Sequence, residues 1–140
     1  MQTPLQTRMV LFVCPHGAAK SVVAAALFRE AVRVRGLDFE AGTAGLDPDP
    51  EVPAAVRDGL RRVGLDAPTA PPMRLDDSHL RSAARIVTIE CEIDSAPAAA
   101  PIEQWRGVPA VSDGFDAALA DLRSRVDDLV SRLERQRAPT

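Results

Sequence analysis

Residues Met9 to Gly36 constrain the fold more than any other stretch. Met9-Val10-Leu11-Phe12-Val13 is an apolar run that reads as a buried strand, the core of a strand over about Arg8 to Val13. Cys14-Pro15-His16-Gly17-Ala18-Ala19 is a loop of mostly small residues that closes on Lys20-Ser21. Val22 to Arg35 reads as a helix, ended by Gly36. A strand, a tight loop and a helix N-terminus together make an anion site, because backbone N–H groups point into the loop and the helix dipole adds positive potential. A cysteine at the mouth of such a loop is held in conditions that favour the thiolate. Lys20 adds a positive charge, and a hydrogen bond from Ser21 to the sulfur favours the same form.

Length and composition bound the rest. The 140 residues suit one domain, spanning 1–140, and 46% hydrophobic content suits a globular core. No apolar run reaches the roughly 18–20 residues a membrane span needs. Met1 to Thr7 reads as a polar, frayed tail without a signal-peptide pattern. A formal charge of −3 disfavours nucleic acid as a partner. The two cysteines, Cys14 and Cys91, form no Cys-x-x-Cys, which argues against a disulfide scaffold and a structural zinc site. Nothing calls for a metal or cofactor. A working thiolate belongs in a reducing compartment, so a cytoplasmic location is expected.

Further along, β and α patterns alternate. Leu37 to Thr43 reads as a second strand interrupted by Gly42. Pro53 to Val63 reads as a helix closed by Gly64, and the Pro-rich stretch 67–74 as a stiff surface loop. Asp76-Asp77-Ser78 caps a short helix to about Ala84. Ile86 to Ile89 and Ile102 to Trp105 read as strands three and four, separated by an Ala/Pro-rich irregular segment, Ser95 to Pro101. Ser112 or Asp113 begins the last helix. Its apolar stripe is Phe115, Leu119, Leu122, Val126, Leu129, Val130 and Leu133, and fraying is expected from about Gln136. Such alternation gives an α/β fold with a doubly wound parallel sheet, which binds ligands beyond the carboxyl ends of its strands. Cys14 stands on that edge.

The segment from Cys14 to Ser21 resembles the phosphate loop of the low-molecular-weight protein tyrosine phosphatases and the thioredoxin-linked arsenate reductases, which share one fold. Their signature is a cysteine, five residues, then arginine and a hydroxyl residue. Here the arginine position holds Lys20, and the family's usual asparagine is Gly17. Thr43-Ala44-Gly45 resembles the family's Ser-Ala-Gly segment, whose hydroxyl can brace the loop; a plain turn is the other reading. Gly64-Leu65-Asp66 resembles the Gly-Ile-Asp after the second helix. The resemblance implies a three-layer fold with a four-stranded parallel sheet in the order 2-1-3-4. It also implies Cys14 as nucleophile in a cysteinyl-phosphate mechanism. Pro15, His16, Gly17, Ala18, Ala19 and Lys20 would cradle the oxyanion, and Ser21 would tune the thiolate.

Both helpers of that mechanism are altered. Lys20 keeps the charge but loses the planar fork of arginine, a change on the order of 2–4 kcal/mol by comparison with deletion of one oxyanion donor. The family's acid is an aspartate beside proline near the C-terminus, and in its arsenate-reductase branch a tryptophan precedes it. Trp105 and Pro109 match; the aspartate position holds Ala110. Asp113 is a substitute acid or a helix N-cap. His16 contacts the oxyanion or sits idle at the rim, and His79 reads as an ordinary surface residue. With no tyrosine and one tryptophan, the aromatic walls expected for phosphotyrosine are missing, and Phe115 belongs to the core. Cys91 resolves an arsenylated Cys14 by disulfide formation, or is buried and inert. Three functions stay open: slow phosphate-monoester hydrolysis, non-catalytic oxyanion or phosphoprotein binding, and arsenate reduction with thioredoxin as partner.

Overall fold

Strand β1, Arg8–Cys14, is central because both of its faces are covered, with Val10 to Val13 at most 3% exposed. The computed structural model describes residues 8–94 and 97–137; the expected tail Met1 to Thr7 and part of the irregular segment Ser95 to Pro101 lie outside the described residues. The other elements are α1 (Lys20–Arg35), β2 (Phe39–Gly45), α2 (Ala54–Arg62), α3 (Asp77–Ser82), β3 (Arg85–Ile89), β4 (Ile102–Trp105) and α4 (Phe115–Arg137). The sheet has four strands, all parallel, in the order β2-β1-β3-β4.

Alternation along β1 divides the core into two layers. Val10, Phe12 and Cys14 face one cluster, with Val87 and Ile89 of β3 and the buried sides of α1, α2 and α4. Leu11 and Val13 face the other, with Ala44, Ile86, Leu80 of α3 and Ala83 just past it. The stripe expected on α4 is buried as read, from Leu119 to Leu133, with Phe115 packed against the same cluster. Phe115 lies over Gly59 of α2, where a Cβ would come within 2.5 Å of its ring.

Several boundaries depart from the sequence reading. Helix α1 begins at Lys20 rather than Val22, so Lys20 and Ser21 belong to its first turn. Its residues from Ser21 to Phe28 are buried all round, while Val34, near its end, is 73% exposed. Strand β2 begins at Phe39, not Leu37. Leu37 is used in closing α1: its N–H donates to the Val32 carbonyl at 2.9 Å around Gly36, which is left-handed at φ +66°. Gly42 does not interrupt the strand; it pairs opposite Leu11. Helix α3 ends at Ser82 because Ala83 is already extended toward β3. At the C-terminus, α4 continues past the expected fraying point to Arg137, and the Gln136 side chain accepts a hydrogen bond from Arg85 at 3.0 Å. His79 is more than a surface residue: with Asp76 it forms the capping box of α3.

Candidate functional site

The loop between β1 and α1 is held by main-chain contacts. Cys14 pairs with Gly45 at the end of the sheet ladder. Gly17 is left-handed at φ +62°, a conformation glycine adopts freely and asparagine tolerates. A Cβ at Gly17 would lie 2.8 Å from the Gly45 nitrogen, and one at Gly45 would lie 2.6 Å from the Gly17 nitrogen. The two backbones therefore touch where no side chain fits. Beyond them, the Asp47 N–H donates to the Pro15 carbonyl at 2.9 Å and the Asp49 N–H to the His16 carbonyl at 3.1 Å. The Thr43 hydroxyl is not part of this brace; Thr43 lines a different cavity with Met9 and Leu11, because it sits two residues short of the sheet edge.

At the loop's end the 16-residue helix α1 starts from Ala19 without a side-chain cap and without an acidic residue in its first turn. Its leading N–H groups and dipole are left to act on whatever lies in front of them. Cys14 is 4% exposed, and its Sγ is hydrogen-bonded to the fully buried Ser21 hydroxyl at 3.0 Å.

Cys14 opens into a cavity of about 340 Å³. Pro15, His16, Ala18, Ala19 and Lys20 share its floor and rim, Pro53, Ala55 and Val56 form one wall, and Ala110, Val111 and Ser112 another. Of the residues singled out from the sequence, Gly17 and Ser21 lie behind this lining, the first against Gly45 and the second beneath the sulfur. Asp113 is not brought to the site. It is exposed at the end of a turn, Val111–Asp113, where its N–H donates to the Ala110 carbonyl, and Ala110 to Ser112 line the cavity in its place. Asp113 is not the N-cap of α4 either: Gly114, at φ 151°, stands between it and Phe115, and the Gly114 carbonyl accepts from Ala118.

Two carboxylates that the sequence reading passed over do line the cavity, Asp49 and Glu90. Each follows the carboxyl end of a strand flanking β1, and that placement was the signal available for finding them. Glu90 is the one residue other than glycine with positive φ among the described residues, at 56°. Its Oε1 accepts the Val108 N–H at 2.8 Å and its own N–H donates to the Trp105 carbonyl at 3.0 Å. Among the described residues, no three His, Cys, Asp or Glu side chains gather as a metal site requires.

Cys91 lies past β3 on the other side of the sheet, packed with the Leu11 and Val13 cluster, and its thiol donates to the Val13 carbonyl at 3.6 Å. Burial pushes this thiol up from its ordinary range, and the neighbouring charges of Cys14 and Glu90 push the same way, against a hydrogen bond from the Ile89 backbone. Cys91 is therefore a neutral thiol at pH 7.

No helix among the described residues is long and apolar enough to cross a membrane. The chain superposes on an arsenate reductase from Archaeoglobus fulgidus with a TM-score of 0.72 and 32% identity, over 87% of this chain and 98% of that one. It is similar in fold to a thioredoxin-dependent arsenate reductase from Corynebacterium glutamicum, with a TM-score of 0.79 and 22% identity, over 96% of this chain but only 66% of that one. A low-molecular-weight phosphotyrosine phosphatase from Vibrio cholerae gives a TM-score of 0.78 at 17% identity, over 94% and 99% of the two chains. No curated protein sequence matches the chain. The family model for low molecular weight phosphotyrosine protein phosphatase matches residues 9–107, running from the second residue of β1 through the whole loop and past β4 and stopping before Ala110. With that match on this sheet, the chain belongs to the low-molecular-weight phosphotyrosine protein phosphatase family.

Proposed function

We propose that the chain hydrolyses phosphate monoesters slowly through a cysteinyl-phosphate on Cys14. The observation that carries this reading is the 3.0 Å contact between the Cys14 sulfur and the buried Ser21 hydroxyl, at the floor of a cavity that Lys20 also lines. Ser21 donates to the thiolate and keeps it aimed outward. The loop amides from His16 to Lys20 and the α1 N-terminus bind the phosphoryl oxygens, with Lys20 as a point charge. Phosphotyrosine is not the favoured substrate, since the walls are Pro53, Ala55, Val56, Ala110 and Val111 rather than aromatic rings. The reducing cytoplasm is the expected location, inorganic phosphate the expected product ligand, and no cofactor is called for. The test is para-nitrophenyl phosphate turnover: the wild type works, and Cys14→Ser falls to background. Turnover that survives in Cys14→Ser rejects the nucleophile. Phosphate binding by calorimetry with no turnover turns the reading to a non-catalytic oxyanion or phosphoprotein-binding module.

Arsenate reduction is the second reading, supported by the 32% identity to the Archaeoglobus reductase. Cys91 fits it poorly, because it packs on the opposite face of the sheet from Cys14 and its thiol is disfavoured as a nucleophile. Thioredoxin-coupled arsenate reduction that is lost equally in Cys14→Ser and Cys91→Ser would establish it.

A further inference from the structure

We propose that His16 is the proton-transfer residue of this site, doing at the leaving group what Ala110 cannot; the inference rests on the phosphoryl-transfer reading above. His16 lines the same cavity as Cys14 and Lys20. Its Nδ1 lies 3.0 Å from the Asp47 carbonyl oxygen. A carbonyl only accepts, so Nδ1 carries the hydrogen. The tautomer is thereby fixed: the neutral ring offers the Nε2 lone pair, and the imidazolium offers Nε2–H. The Asp49 carboxylate stands 3.7 Å from the same Nδ1. Both partners are anchored to the loop they serve, since the Asp47 and Asp49 N–H groups donate to the carbonyls of Pro15 and His16.

The other charged groups on the cavity do not compete for this duty. Lys20, on α1, serves the oxyanion. Glu90, past β3, is tied to the Val108 N–H. Asp113 is outside. The His16 side chain, 60% exposed, is free to meet an incoming ester at the rim. In the first step the Cys14 thiolate forms a bond to phosphorus while the P–O bond to the leaving group breaks. The electron pair goes to the leaving oxygen, which takes the Nε2 proton. In the second step neutral His16 accepts a proton from water as its oxygen attacks phosphorus. The S–P bond then breaks, giving inorganic phosphate, the thiolate and the imidazolium.

The experiment uses aryl phosphates whose leaving groups run from 2,4-dinitrophenol, which needs no proton, to phenol, which does. His16→Gln is expected to lower kcat/KM for phenyl phosphate, which reports the steps through P–O cleavage, by about 10²–10⁴-fold and to leave kcat/KM for dinitrophenyl phosphate within a few-fold, while kcat falls for every ester because His16 also activates the water of the second step. Asp49→Asn, acting through His16 as a positioning residue, is expected to show a smaller loss with the same dependence on leaving group. An equal loss of kcat/KM across the series, with Cys14-dependent turnover intact, overturns the role of His16 alone. Absence of Cys14-dependent turnover for every ester in the wild type overturns the phosphoryl-transfer reading and this role together. Nitrogen-15 NMR of the neutral imidazole gives a readout independent of turnover: Nδ1–H is expected, and Nε2–H rejects the proposal.

Discussion

The loop from Cys14 to Lys20 and the segment from Trp105 to Gly114 face each other across one cavity, yet they are built differently. The first is locked by backbone: Gly17 against Gly45, Pro15 and His16 against Asp47 and Asp49. Nothing in it can move without breaking main-chain contacts. The second is paired to β3 at Trp105, and past that residue it is tied to its neighbours by side chains. Trp105 is buried against Phe12, Glu90 holds the Val108 N–H, and Arg125 reaches the Arg106 carbonyl at 2.7 Å. It brings Ala110, Val111 and Ser112 to the cavity, none of which can donate a proton as an acid does. The comparison separates two duties. The shape of the loop is held by backbone contacts that do not involve the side chain at position 20, whereas an acid at position 110 would depend on one side chain, and that position holds Ala110.

The largest expected effect comes from breaking the locked half. Gly17→Ala puts a Cβ within 2.8 Å of the Gly45 nitrogen at a left-handed φ, so a loss of about 2–4 kcal/mol of stability is expected, measured by denaturant unfolding. Phosphate affinity should fall with it, and a wild-type midpoint would mean the loop is not held by this contact. Ala110→Asp sharpens the other half. Its carboxyl would enter the cavity, and phenyl phosphate turnover is expected to rise by about tenfold or more. Asp113→Asn in the same assay should change turnover less than about twofold, since Asp113 does not reach the cavity; a larger drop would restore it as a participant.

An effect on stability alone concerns the anchor beneath the second segment. Glu103 of β4 makes a two-point pair with Arg132 of α4 at 2.8 and 2.9 Å and accepts the Trp105 indole N–H at 2.7 Å. Burial is the largest influence on its carboxyl and pushes upward, but the hydrogen bonds from Arg132 and Trp105, with the charges of Arg132 and Arg85, outweigh it and hold Glu103 below the usual range. A depressed carboxylate stabilises the fold above its unfolded value near 4.5 and loses that contribution as pH falls through the lower folded value. Glu103→Gln is therefore expected to cost about 1–2 kcal/mol at pH 7, with the difference from wild type vanishing in acid. A constant difference across pH would show that the pair does not stabilise through charge.

Much of this molecule was legible in its residues. The apolar run before Cys14, the small loop and the long helix with Gly36 behind it dictated a strand, an anion-binding turn and a helix, since period and glycine placement act locally. The stripe from Phe115 to Leu133 declared α4 for the same reason. The strand order came with the likeness of the loop to a known phosphate loop. What folding alone decided was which side chains meet. Asp113 and Ala110 are three residues apart, and only the turn between them determines that Ala110 lines the cavity and Asp113 does not. Cys14 ends β1 and Cys91 lies two residues past the end of β3, yet they pack into clusters on opposite sides of the sheet, with the left-handed Glu90 between Ile89 and Cys91. Asp49 and Glu90 carried no motif, and they reach the site because parallel strands bring their carboxyl ends to one edge. Local pattern is a property of neighbours in sequence; convergence on a cavity is a property of how the sheet is stacked and ordered.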